Sequence, residues 1–110
     1  MELLTKDLYT IFKLKKKTTF KDFFQLFNNK INQYNDQNVI VDLTNFDLSL
    51  DEIVKFKTIF EKKIALGTSF VVINSKVNLN EIPEEFIVVP TFQEAVDMIE
   101  MDEMTKSLDF

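Results

Sequence analysis

Three aspartates and a serine lie close together in the stretch Val39 to Glu52: Asp42, Asp47, Ser49 and Asp51. Their types and spacing come nearest to chemistry in this chain. Carboxylates gathered on one loop can hold a hard divalent cation, Mg²⁺ or Ca²⁺, through oxygen ligands. A hydroxyl at a helix start can receive a phosphoryl group, or can simply cap the helix. Each has a plainer reading. Asp42, at the end of an apolar run, can accept backbone donors from the loop that follows, and no second acid or base is visibly paired with it. Ser49 stands three residues before Glu52, which makes a capping box. The separation of Asp47 and Asp51 suits solvated loop and cap positions.

The 110 residues contain no His, Cys, Trp or Arg, so all 13 basic residues are lysines, and there is a single glycine, Gly67. Zinc hydrolases need imidazole or thiolate ligands, and triad hydrolases need a base that titrates near neutrality. A metal nuclease built on histidines is excluded on the same ground, as is any glycine-rich phosphate loop. A bias towards Lys, Asn, Ile and Phe over Arg and Gly is what an AT-rich genome produces. No catalytic residue, cofactor site or metal site is assigned, and the chain is expected not to be an enzyme. The absence of cysteine, of a signal-like start and of a long apolar run points to a cytoplasmic protein that does not engage a membrane.

Charge is uneven. Residues 1–30 carry seven lysines and three acids, a net of +4, whereas residues 81–110 carry nine acids and one lysine, a net of −8. The cluster Lys13, Lys15, Lys16, Lys17 and Lys21 invites a nucleic-acid reading. Three features oppose it: no arginine for bidentate recognition, no aromatic residue interleaved in Lys15–Lys17, and an overall charge of −5 that repels a polyanion. No nucleic-acid partner is expected. The lysines read as a solvated strand end, with the acidic C-terminal helix as an intramolecular counterpart.

The elements that must position these residues alternate. Glu2 to Thr5 and Leu8 to Leu14 form a hairpin turning at Lys6-Asp7, the second strand half-buried with Leu8, Thr10, Phe12 and Leu14 on one face. Phe20, Phe23, Phe24, Phe27, Ile31 and Tyr34 recur at helical spacing behind a cap at Thr18 or Thr19, and such a stripe is core. Val39 to Leu43 is nearly continuous in apolar residues, as in a central strand covered on both faces. Ser49 and Glu52 open a second helix with Ile53, Phe56, Phe60 and Ile64 on its inner face, Lys62 and Lys63 near its end, and Gly67 as its left-handed stop. Phe70 to Ile73 is a buried strand. Asn74 to Pro83 is a polar connection touching the core at Val77, Leu79 and Ile82. Phe86 to Val89 is the last strand, after which Thr91 and Glu94 cap a helix carrying Phe92, Ala95, Val96 and Ile99. Beyond Met101 the pattern weakens, and Leu108 and Phe110 either dock or fray. The expectation is one α/β domain over residues 1–110, a hairpin followed by alternating helices and mostly parallel strands of a four- to five-stranded sheet.

Val-Ile-Val-Asp-Leu-Thr-Asn-Phe at 39–46, followed by a capped helix, resembles the strand and loop of the STAS domain, the fold of bacterial anti-sigma factor antagonists. Val-Pro-Thr-Phe-Gln-Glu-Ala at 89–95 resembles that family's closing strand and helix. The resemblance implies a docking surface at the loop and the start of the second helix, where the family typically places an Asp-Ser-Ser-Gly motif whose serine a kinase partner phosphorylates. This chain departs from it. Ser49, Leu50, Asp51, Glu52 and Ile53 stand there, without the glycine, and the serine position falls on Asp51 or Glu52. The connection at 74–83 is also shorter than the family's.

Two functions are thus expected from different classes. The first is a non-enzymatic, regulatory protein–protein interaction module, similar to a STAS domain without its phosphorylation switch, that binds another protein through Asp47, Leu48, Ser49, Leu50, Asp51 and Glu52. The second is an accessory protein that binds a small ligand or divalent metal through Asp42, Asp47 and Asp51.

Overall fold

Short continuous apolar runs become the inner strands here, and apolar residues spaced by three and four become helices. The computed structural model describes residues 1–108. Its strands are β1 (Glu2–Thr5), β2 (Thr10–Lys13), β3 (Val39–Asp42), β4 (Phe70–Ile73) and β5 (Val88–Val89), and its helices α1 (Phe20–Ile31), α2 (Leu50–Val54), α3 (Lys57–Leu66) and α4 (Phe92–Leu108). The strands form one sheet in the order β1-β2-β3-β4-β5, with β1 antiparallel to β2 and the other pairs parallel. The expected α/β architecture is therefore present, with five strands and β3 at the centre.

The sheet separates two apolar layers. Phe12, Val39, Val41, Phe70 and Val72 face α1, α2 and α3, meeting Phe23, Phe27, Ile53, Phe56 and Phe60. Ile11, Ile40, Val71 and Ile73 face the other way and pack with Ala95 and Ile99 of α4. Strand order equals chain order, so successive right-handed crossovers advance in one direction and keep their helices on one face. Only α4, which follows the last strand, can reach the reverse face. β2 is consequently covered on both sides, not half-buried, although the expected alternation of its side chains holds: Phe12 and Leu14 join one layer, Tyr9 and Ile11 the other.

Local chemistry sets most ends. Thr19 accepts from the Asp22 amide at 3.1 Å, which settles the cap of α1. Gly67 closes α3 at φ 75°, a left-handed conformation that a side chain would strain. The hairpin turn lies one residue later than expected, between Lys6 and Tyr9 (amide to carbonyl, 2.8 Å), because β2 begins at Thr10 and Leu8 stays outside the ladder. Phe86 leaves the line of the last strand to stack on Phe60, centroids 4.8 Å apart, so β5 keeps only two residues. In the 74–83 connection Val77 and Ile82 reach the core, whereas Leu79 remains exposed in a 3₁₀ turn at Leu79–Glu81. The expected docking of the Leu108 and Phe110 side chains falls outside the described residues.

The second helix differs most from its expected form. It is two helices, broken at Lys55 and Phe56. Ile64 is 64% exposed and Lys63 is buried in its stead. Beneath the end of α3 run the carbonyls of Tyr34 and Gln37, which take hydrogen bonds from Lys63 Nζ at 2.6 and 2.5 Å. The lysine ammonium gives both carbonyls a donor, which an isoleucine cannot supply.

Candidate functional site

The loops leaving β2, β3 and β4 at their carboxyl ends share one end of the sheet, the usual place for ligand and partner contacts in parallel α/β structures. Because the strand order never reverses, the sheet has no topological switch point, and the loops themselves shape the surface there. The loop after β3 is held firmly. Asp42 Oδ1 accepts from the Thr44 amide at 3.0 Å and from the Thr44 hydroxyl, the local role expected of it. Asn74, 1% exposed at the end of β4, donates through Nδ2 to the carbonyls of Leu43 and Phe46, both at 2.8 Å. Its Oδ1 accepts from the amides of Lys76 and Val77 at 3.1 and 2.8 Å. Ser75 adds a hydroxyl bond to the Thr44 carbonyl at 2.5 Å. This staple was missed in the sequence; its one signal is an asparagine directly after a buried strand.

The six residues expected to dock a partner separate into distinct roles. Leu48 is buried among the core phenylalanines and presents nothing to a partner. Asp47 is exposed and bridges to Lys76 at 3.3 Å. Ser49 and Glu52 form the full capping box: the Glu52 amide donates to Ser49 Oγ at 3.2 Å, and the Ser49 amide and hydroxyl donate to Glu52 Oε1 at 2.9 and 3.1 Å. Leu50 and Asp51 are exposed on the first turn of α2. One turn further on, Val54 is 41% exposed beside Leu50 at 40%, so the two make an apolar pair on the outer side of α2. Val54 was not singled out in the sequence, where it reads as an ordinary helix residue.

The carboxylates expected to share a metal do not converge. Asp42 is turned to Thr44 and Asp47 to Lys76, and among the described residues no three Asp or Glu side chains come close enough to hold an ion. No protein-family model matches this chain, and no curated protein is a recognisable sequence relative. Among the described residues no helix is long and apolar enough to cross a membrane.

Among the described residues the expected pairing of the lysine cluster with the acidic C-terminal helix is not made. Among the described residues the ion pairs are Lys76–Asp47 and Lys106–Glu103. α4 starts near the carboxyl end of β5 and runs down the reverse face, so that Glu103 meets Asn38 at 2.8 Å, at the start of β3. Its later acids therefore lie at the opposite end of the sheet from Lys13–Lys17. The Asn38 amide, with Lys106 adding to it, holds the Glu103 carboxyl below the usual carboxylate range.

Proposed function

We propose that this chain is a non-enzymatic protein–protein interaction module of the cytoplasm with a regulatory role, a STAS-like domain whose phosphorylation switch has been replaced by fixed charge. The supporting observation is the exposed Leu50–Val54 pair on α2, bordered by Asp47 and Asp51 and carried by a loop stapled through Asn74. A rigid platform binds with less ordering cost than a mobile one. An apolar centre with an acidic rim suits a partner that offers an apolar pocket ringed by lysine or arginine.

The fixed-charge reading rests on the resemblance, which sets either Asp51 or Glu52 at the position of the family's switching serine, and on Ser49, whose hydroxyl both donates and accepts within the capping box. A phosphoryl group on Ser49 would remove that donor and set its charge against Glu52.

Affinity purification of the full chain from its native cell tests the reading. A specific partner should be captured by the wild type and lost with Leu50→Asp/Val54→Asp, whose melting temperature stays near that of wild type because both side chains are exposed. Retention of the partner by that variant, or a partner bound only when Ser49 is phosphorylated, overturns it.

A further inference from the structure

We propose a second site, separate from the α2 platform: the cleft at the carboxyl ends of β2 and β3 binds a small anion carrying two or more adjacent phosphate groups, held by Lys15, Lys16 and Lys17. The cleft has a volume of about 530 Å³ and is lined by residues 13–18 on one side and 42–46 on the other. That is room for a small organic ligand.

Among the described residues no ion pair neutralises its lysines. Lys13 lies in register between Glu2 of β1 and Asp42 of β3, so its charge is partly offset by neighbours on the sheet. Asp42 is the one carboxylate in the lining, and it is turned to the amide and hydroxyl of Thr44. Lys15, Lys16 and Lys17 are exposed, and among the described residues none of them forms an ion pair. Three ammonium groups on one rim match the charge of a di- or triphosphate, and ammonium is an effective point-charge partner for phosphate.

The backbone of this rim carries a second, independent signal. The Thr18 amide bonds to the Lys15 carbonyl at 3.2 Å, closing a turn with Lys16 and Lys17 at its corners. Lys17 sits at φ 67°, and it is the one non-glycine residue with a positive φ among those described. The third position of such a turn is where glycine is favoured and a long side chain is strained. Strain held at one residue, in a loop lining a cleft, fits a binding role for that residue. Lys17 keeps an ammonium on the cleft at a position where glycine would fold more easily.

The rest of the lining suits a compact ligand better than a polymer. Thr18, Thr44 and Asn45 supply neutral polar groups, and Leu14 and Phe46 an apolar wall. The net charge of −5 repels a long polyanion, whereas a small one seated in the cleft feels chiefly the lysines within a Debye length of about 8 Å.

The experiment is an NMR titration of the isotope-labelled full chain with sodium triphosphate, repeated with ATP. Saturable shifts should concentrate in residues 13–18 and 42–46. Lys15→Ala/Lys17→Gly should weaken binding by about tenfold or more, while Lys30→Ala/Lys57→Ala, which removes two exposed lysines outside the cleft, changes it by less than about twofold. Lys17→Gly alone should weaken binding without lowering the melting temperature, because glycine relieves the left-handed backbone. ATP binding about tenfold tighter than triphosphate identifies a nucleotide as the source of the phosphates, and equal affinity identifies a bare polyphosphate group. Absence of saturable shifts up to about 10 mM, shifts spread over all lysines, or equal losses in both double variants would overturn the proposal.

Discussion

At the scale of single residues, Lys63 and Asn74 hold together parts of the chain that lie far apart in sequence. Burial lowers the Lys63 pKa from 10.5 to about 8, against the opposing charge of Asp36 and with a small push from Lys62. Since the folded-state pKa lies below the unfolded one, the unfolded chain binds the proton more readily, and protonation works against the fold. The contribution of Lys63 is therefore full above pH 10.5 and is lost as pH falls through about 8. The difference in unfolding free energy between wild type and Lys63→Met, measured in denaturant from pH 7 to 10.5, should move in favour of wild type across that window. A flat difference would place the amine in water. Asn74→Ala removes two donor bonds to the loop and leaves the amides of Lys76 and Val77 without their acceptor. Destabilisation of about 2–4 kcal/mol is expected, with faster amide hydrogen exchange at Thr44–Leu48.

At the scale of elements, the ends of helices were legible and their faces less so. Thr19, Ser49 and Gly67 perform the roles their types and spacing announced, because a cap is made within three or four residues of its own helix. Ser49→Ala should cost about 0.5–2 kcal/mol in a thermal or denaturant melt, whereas Ser49→Thr, which retains the capping hydroxyl, should recover most of the loss. The second helix shows the limit of periodicity. Ile64 and Lys63 are neighbours in sequence, and the pattern through Ile53, Phe56 and Phe60 favours Ile64. The carbonyls of Tyr34 and Gln37, supplied by the connection between α1 and β3, reverse that preference. Leu48 is a similar case. It stands between the exposed Asp47 and Ser49, yet its side chain turns inward and anchors the loop.

At the scale of the whole molecule, the fold depends on an unequal pair of layers. One is a continuous aromatic core in which Phe27 meets Phe12, Phe23, Phe56 and Phe70 with centroids 5.0–6.1 Å apart. The other is a thin seam closed by α4 alone among the helices. Phe27→Ala should cost about 3–5 kcal/mol, a large share of the roughly 5–15 kcal/mol available to a domain of this size. Its urea midpoint should fall accordingly, with the transition still cooperative. The charge asymmetry also acts at this scale. Its acidic part lies along α4 and its basic part at the rim of the β2–β3 cleft, and the sheet keeps them from cancelling.

The alternation of strands and helices, the caps at Ser49 and Gly67, the central place of Val39–Asp42 and the lack of histidine and thiol were already legible in the sequence. These are read from composition or from patterns spanning a few residues. Long-range packing sets the rest: Leu48 faces inward, Lys63 displaces Ile64 from the core, α4 covers the reverse face, and Lys15–Lys17 overlook a cleft shared with Asp42–Phe46. Each of those outcomes depends on a partner far along the chain, such as Asn74 to Leu43 or Lys63 to Tyr34, 31 and 29 residues apart. Local periodicity carries no record of such partners. They exist only once the sheet has brought its strand ends together.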